Sequence, residues 1–144
     1  MIALLQRVSK ASVTVDDNCI GRIKQGILAL IGVQPGDDDA LMRRFVSRIL
    51  SYRMFSDAEG KMNSSLVDSQ GGLLLIPQFT LAANTRKGRR PSFASAATPA
   101  HGQEIFQAMV DNARGSYAFV ECGQFGANMQ VELINDGPVT FILD

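Results

Sequence analysis

The sequence predicts a single α+β domain over residues 1–144, in which mostly antiparallel strands form a barrel-like or two-sheet core and two helices pack on it. Strand-like patterns dominate both ends of the chain, and helical periodicity is confined to two separate segments. Strands and helices therefore do not alternate as they do in α/β folds. A chain of this length buries roughly 68–70% of its unfolded surface, so one core without disulfide or metal is sufficient.

The strand predictions depend on short apolar runs and on the alternation of apolar with polar residues. Val13 and Val15 alternate with a serine and a threonine, which is the period of a half-buried strand. The apolar run 26–33 is typical of a strand buried on both faces. Pro77 cannot donate to a sheet ladder and should mark an edge or a bend. About eight strands are predicted, at 2–8, 11–15, 20–23, 26–33, 72–76, 117–122, 128–134 and 139–143, with a further short one at 52–55.

Two helices are predicted from apolar residues at helical spacing. Aspartates suit the start of the first helix, which we place at about 39–51. Thr98 and Pro99 are the residue types of an N-cap and a first helical position, and Gly115 is a suitable stop for the second helix. Residues 82–97 show no periodicity and predict a long loop, which in a compact domain is usually functional or disordered.

The composition excludes several classes of protein. Lys plus Arg number 14 and Asp plus Glu number 14, so no global field attracts nucleic acid and any RNA contact must be local. Cys19 and Cys122 share no motif and are expected to be free thiols. The N-terminal apolar stretch is too short for a secretory core, and no run approaches the roughly 20 apolar residues of a membrane span. A cytoplasmic protein without a membrane segment is expected.

The sequence does not show a recognisable set of catalytic side chains. The single histidine, His101, is expected on a helix surface, and as a general base it would need a nucleophile and an orienting carboxylate nearby. One histidine and two scattered cysteines do not predict a metal site, and no phosphate-binding glycine loop or other cofactor motif is present. If the protein is an enzyme, its backbone groups or its substrate must carry the chemistry.

Two segments stand out beside this lack of catalytic motifs. One is Pro-Gln-Phe-Thr-Leu at 77–81, and the other is Asn-Asp-Gly-Pro-Val-Thr at 135–140. Taken alone, the first is a strand end with its phenylalanine in the core, and the second is a turn between two strands. The pair of segments in this order resembles the D-aminoacyl-tRNA deacylase family, which has Ser-Gln-Phe-Thr-Leu and Asn-x-Gly-Pro-Val-Thr signatures.

The resemblance extends over nearly the whole chain. It includes Gln-Arg-Val at 6–8, Gly-Arg-Arg-Pro-Ser-Phe at 88–93 and Phe-Gly-Ala-Asn-Met-Gln-Val at 125–131. It implies a homodimer with sites at the subunit interface, where a cis Gly137–Pro138 peptide of one subunit reaches the pocket of the other. It places substrate binding and chiral selection at Gly137, Pro138, Arg7, Met129 and Phe125. Pro77 departs from the family, which often has serine at this position, so a hydroxyl role there is lost.

Catalysis is expected at Gln78, Phe79 and Thr80. Backbone N–H groups near Phe79 and Thr80 would stabilise the oxyanion that forms when an ester carbonyl is attacked. Thr80 is either a nucleophile or a positioning residue, and the absence of a nearby base favours the second role. Phe125 and Met129 are either core residues or a stacking wall for the terminal adenosine.

The predicted loop carries four positive charges within five residues, at Arg86, Lys87, Arg89 and Arg90. They form either a solvated loop or a contact with tRNA phosphates, and in a net-neutral chain the second reading is favoured.

The sequence leaves three hypotheses for the function. The chain is an esterase acting on D-aminoacyl-tRNA, and on glycyl-tRNA mischarged on tRNA-Ala; or a non-catalytic dimeric module that binds the tRNA acceptor end; or an esterase or peptidase for small molecules.

Overall fold

The strands form one six-stranded mixed sheet and a small two-stranded sheet in a computed structural model that describes residues 1–86 and 88–144. The helices are α1 (Asp39–Ser51), α2 (Leu66–Ser69) and α3 (Pro99–Ser116), with a 3-10 turn at Phe79–Ala82. The strands are β1 (Ile2–Val15), β2 (Asn18–Ile23), β3 (Gly26–Gly32), β4 (Phe55–Ser56), β5 (Met62–Ser64), β6 (Gly72–Pro77), β7 (Val120–Cys122) and β8 (Gln130–Leu143). The predicted α+β class is confirmed.

The large sheet is organised around β1. On one edge β1 pairs antiparallel with β3 and then with β2, and on the other edge it pairs antiparallel with β8. Beyond β3 the order continues through β6 and β7, and both of these pairings are parallel. The sheet is therefore antiparallel around β1 and parallel where β3, β6 and β7 end side by side.

Two pairs of predicted strands are in fact single long strands. The predicted strands 2–8 and 11–15 are both part of β1, and those at 128–134 and 139–143 are both part of β8. The interpretation of residues 135–138 as a turn between two strands was therefore wrong. In the β1–β8 ladder, residues 136–139 lie opposite Arg7 alone, so the turn-forming residues make a bulge within a continuous strand.

The two predicted helices are confirmed, and a third was missed. At the start of α1 the Asp38 carboxylate accepts from the Leu41 N–H at 2.7 Å, and at the start of α3 the Thr98 hydroxyl accepts from the His101 N–H at 3.4 Å. The helix α3 continues through the predicted stop and ends at Ser116. The one-turn helix α2 begins with a capping box from Ser65. Within the described residues, no helix is long and apolar enough to cross a membrane.

Buried side chains lie on both faces of β3, as its apolar run predicts. Ile27 and Ile31 belong to the larger core cluster, which α1 and α3 cover, whereas Leu28 belongs to a second cluster between strands of the curved sheet. The smaller cluster also contains Val8, Ala11, Val13, Ile23, Leu74 and Ile76. The sheet is therefore packed on both sides, and β3 and β6 are held in its middle.

The backbones of β3 and β6 approach closely at a pair of glycines. Gly26 faces Gly72 in the parallel register, and a Cβ added to Gly26 would lie 1.9 Å from the Gly72 carbonyl oxygen. A Cβ on Gly72 would lie 2.7 Å from Cβ of Ile23. Only glycine allows the strands to pair at this point.

We predict that Gly26→Ala lowers the free energy of unfolding by about 3 kcal/mol or more, because the methyl group must displace backbone rather than a flexible side chain. Gly115→Ala is the matched control. It lies in α3 with no atom within 4 Å of the added Cβ, and it should raise stability by roughly 0.5–1 kcal/mol. Urea denaturation measures both. If Gly26→Ala had the same free energy of unfolding as the unchanged protein, the close pairing of the two glycines would not be required.

Candidate active site

A pocket of about 460 Å³ opens where β3 and β6 end and α3 begins. Four residues predicted from the sequence line it, namely Gln78, Phe79, Phe125 and Met129. The rest of the lining is Ile31, Val33, Ile76, Pro77, Ala97, Pro99, Gly102, Phe106, Gly126, Ala127 and Val131. No residue of this lining has a titratable side chain. The pocket can bind an apolar or flat group, but its walls supply no side-chain acid or base.

The chain turns sharply at the edge of this pocket. Pro77 is the last residue of β6, and the Gln78 N–H donates to the Ile31 carbonyl at 2.7 Å, which ties the turn to β3. Pro77 was predicted to mark an edge or a bend, and it is the last residue of β6, a strand that lies between β3 and β7. The first backbone bond of the 3-10 turn is donated by Leu81 to the Gln78 carbonyl at 3.2 Å. The N–H groups of Phe79 and Thr80 precede that bond and have no partner within the turn.

Thr80 is exposed, and its hydroxyl accepts a hydrogen bond from the Gln78 side-chain amide. Within residues 1–86 and 88–144, no carboxylate or imidazole is hydrogen-bonded to this hydroxyl. The Thr80 proton is therefore available for donation to a ligand, and among the described residues no base is hydrogen-bonded to it that would remove it.

Two glycines that the sequence analysis did not select make room for the pocket wall. A Cβ on Gly102 would lie 3.1 Å from the Phe125 ring, and a Cβ on Gly123 would lie 2.7 Å from the Met129 sulfur. The Gln124 N–H donates to the same sulfur at 3.4 Å. A glycine within a helix lowers the stability of that helix. The presence of Gly102 in α3 was therefore the signal in the sequence that a close contact requires glycine there.

Gly137 and Pro138 lie elsewhere on the same chain, in the exposed bulge of β8, and the peptide between them is cis. The Arg7 side chain is 13% exposed and holds this bulge. Its Nε donates to the Asp136 carbonyl at 3.0 Å, and its Nη1 donates to the Met54 carbonyl at 2.9 Å. None of Arg7, Gly137 and Pro138 lines the pocket of its own chain. The residues predicted for substrate binding thus form two separate groups.

The predicted basic loop lies next to the pocket. Asn84 and Ser92 exchange two backbone hydrogen bonds of 2.8 and 3.0 Å, which close the loop at its base. Arg86, Arg89 and Arg90 are exposed on it, and Lys87 lies outside the described residues. The arginines do not line the pocket, but they are connected to it through Phe93, whose ring contacts the ring of Phe79.

His101 is half-buried rather than on the helix surface as expected, and its Nε2 is buried without a partner in the described part of the chain. Among the residues that the structure describes, three groups have shifted pKa values. Hydrogen bonds from the Asn63 side chain and from the Ser65 backbone lower the pKa values of Asp57 and Asp68, respectively, and burial raises the pKa of Tyr117. None of these side chains lines the pocket. The described residues contain no cluster of three or more potential metal ligands.

Comparisons with known proteins identify relatives of the whole chain. A family described as D-Tyr-tRNA(Tyr) deacylase matches residues 4–144. Two relatives called D-aminoacyl-tRNA deacylase come from Ectopseudomonas mendocina (strain ymp) and Xanthomonas oryzae pv. oryzae (strain MAFF 311018). They are 57% and 58% identical to this chain over 144 residues, with 100% and 99% of this chain and 99% of each relative covered.

Solved structures show the same fold. One described as c-Myc DNA Unwinding Element Binding Protein superimposes with a TM-score of 0.95 at 37% identity, covering 100% of this chain and 98% of that one. Another, described as a probable eukaryotic D-amino acid tRNA deacylase, has a TM-score of 0.86 at 16% identity and covers 99% and 97% of the two chains. Since the family match extends over residues 4–144, this chain belongs to the D-Tyr-tRNA(Tyr) deacylase family.

Proposed function

We propose that this protein hydrolyses the ester bond of D-aminoacyl-tRNA and releases the free D-amino acid and tRNA. The observation that carries the proposal is the family match over residues 4–144, together with relatives of 56–58% identity called D-aminoacyl-tRNA deacylase. Glycyl-tRNA mischarged on tRNA-Ala is a further substrate, because glycine is achiral and has no side chain that the site could reject. Charged tRNA is used in the cytoplasm, which is the proposed location.

The proposed chemistry uses backbone groups and the substrate, because the pocket lining has no titratable side chain. The N–H groups of Phe79 and Thr80 hold the developing oxyanion of the ester carbonyl. Water adds to the carbonyl carbon, and the bond to the ribose oxygen breaks. The vicinal ribose hydroxyl of the substrate relays the water proton to the leaving oxygen, so the products are the amino acid and tRNA. The proposed reaction takes no metal or cofactor.

In this mechanism Gln78 and Thr80 are positioning residues. The Gln78 side-chain amide donates to the Thr80 hydroxyl, which leaves the hydroxyl proton free for a substrate acceptor. A nucleophilic threonine would need a base, and no lining residue is one. The apolar wall formed by Phe125 and Met129 holds the terminal adenosine, since aromatic and thioether surfaces accept the flat face of a base.

Chiral selection is proposed to require a second copy of the chain. Gly137 and Pro138 are exposed and do not line their own pocket, whereas a partner subunit can present them to it. The strand β8 supports this arrangement, because in the described residues it pairs only with β1 and exposes Ile134 and Ile142, which are 50% and 65% accessible. A long, apolar edge strand of this kind pairs readily with another chain. Carbonyl groups of the bulge then receive the substrate ammonium.

The first test is enantiomer-specific deacylation. We expect the protein to release tyrosine from D-Tyr-tRNA, to leave L-Tyr-tRNA charged, and to leave the methyl ester of D-tyrosine intact. The last substrate is the control for a small-molecule esterase. Release of labelled tyrosine from each substrate is measured. Binding of tRNA without any release would instead support a non-catalytic module that binds the acceptor end.

We expect Gly137→Ala to lower kcat/KM for D-Tyr-tRNA by on the order of 100-fold, the size of effect that a displacement of about 1 Å produces. Gly137 has a φ of 127°, and its Cβ would lie 2.8 Å from Cγ2 of Val139 and 3.1 Å from Nη2 of Arg7, so the bulge must move. Gly36→Ala is the control, because it also has a positive φ, of 85°, but meets no atom within 4 Å. Unaltered D-activity and enantiomer selection in Gly137→Ala, with the dimer intact by sedimentation, would contradict this role.

The basic loop is proposed to bind tRNA phosphates. Replacing Arg89 and Arg90 by Glu should weaken tRNA binding and reduce the slope of log Kd against log salt by roughly one to two units, since fewer counterions are released. The matched control replaces Arg43 and Arg44, which are exposed on α1 and give the same change in net charge. Binding titrations at several salt concentrations measure the slopes. A similar reduction in both double variants would mean that only net charge matters.

A further inference from the structure

Two large aromatic rings are left exposed at the mouth of the pocket. Phe79 and Phe93 are 54% and 44% accessible, and their centroids lie 5.1 Å apart with a tilt of 53° between the rings. Phe79 also lines the pocket, whereas Phe93 does not. We call these two side chains the aromatic platform. Because both rings are exposed, packing in the core of this chain does not explain why phenylalanine occurs at these two positions.

The backbone holds both rings of the platform in place. Phe79 is the first residue of the 3-10 turn, which the Gln78 N–H anchors to β3. Phe93 directly follows Ser92, whose backbone exchanges two hydrogen bonds with Asn84, and its carbonyl accepts from the Ala96 N–H at 3.0 Å. Two exposed rings fixed from separate segments form a surface that is ready before a ligand arrives.

The position of the platform indicates what it binds. Phe79 lines the apolar pocket, which we assign to the terminal adenosine, and Phe93 follows the loop that carries the exposed Arg86, Arg89 and Arg90. Exposed aromatic rings beside positive charge are the usual means of binding unpaired nucleotides, because every base has a face that stacks. The charge of the loop fits a phosphate backbone and does not fit a neutral apolar partner.

We propose that the aromatic platform stacks the unpaired nucleotides that precede the terminal adenosine of the acceptor end. The inference depends on the proposed function and extends it, because it assigns the recognition of the single-stranded end to Phe93. The platform then connects the contacts to tRNA phosphates with the pocket in which the ester is broken. A substrate that carries only the terminal adenosine gains nothing from Phe93.

The test compares two substrates, the D-tyrosyl ester of adenosine and the D-tyrosyl ester of the trinucleotide CCA. The quantity measured is the ratio of kcat/KM for the longer substrate to that for the shorter one. Phe93→Ala should lower this ratio at least about five-fold, the lower limit for the loss of one base–aromatic stack, through KM rather than kcat. Phe93→Tyr keeps an aromatic ring and should retain the ratio.

Phe119→Ala is the matched control. Phe119 is 57% accessible and also belongs to an exposed aromatic pair, with Tyr117, but it does not line the pocket. Its removal should leave the ratio unchanged. An equal loss of kcat/KM on both substrates in Phe93→Ala would overturn the proposal, because Phe93 would then act only by supporting Phe79.

Two further results would also overturn the platform. An unchanged ratio would mean that the rings do not contact the additional nucleotides, and dissociation of a dimer by Phe93→Ala in sedimentation would assign the rings to a subunit contact. Failure of the proposed function gives a different result, since the unmodified protein would then hydrolyse neither ester. Hydrolysis of both esters with no effect of Phe93→Ala on their ratio rejects the platform alone.

Discussion

The close parallel pairing of β3 and β6 determines where the candidate site lies. The pairing is possible because Gly26 faces Gly72, and its register brings the ends of both strands to the same edge of the sheet. At that edge the Gln78 N–H bonds to the Ile31 carbonyl, and the 3-10 turn begins with the N–H groups of Phe79 and Thr80 unbonded within it. The register of the two parallel strands thus places their carboxyl ends, and the backbone groups that follow them, at the edge where a ligand can bind.

The same arrangement explains why the pocket is apolar. Its walls are the ends of two strands buried on both faces, the first turns of α3, and the segment that leads into β8. Strands of this kind contribute apolar side chains wherever they end, so polar contacts other than those of the Gln78 side chain must come from the backbone or from another molecule. The division between an apolar pocket and an exposed bulge at Gly137 therefore follows from the fold. It is also the reason that we propose a second subunit.

Local patterns predicted most elements of the fold but not the continuity of β1 and β8. Asparagine, aspartate, glycine and proline at 135–138 favour a turn by their intrinsic preferences. In the structure Arg7 bonds to the Asp136 carbonyl, and residues 136–139 bulge opposite it without interrupting the strand. This outcome depends on a side chain distant in sequence, which no local pattern contains. The helix α2, in contrast, was missed although Ser65 and Asp68 are the residues of its capping box, because one turn is too short to show periodicity.

The candidate site was predictable to the extent that its residues lie in short motifs. Gln78 and Phe79 come from one segment, Phe125 and Met129 come from another, and the sheet brings them to one pocket. Phe93 lies in a loop without periodicity, and its ring lies against Phe79 next to the bridge between Asn84 and Ser92, a pairing that no local pattern predicts. In a chain with no net charge, long-range attraction cannot guide a polyanion to the pocket. In the proposed mechanism, recognition is therefore local and sequential, from the arginines of the loop, across the exposed rings, to the backbone groups at the pocket edge.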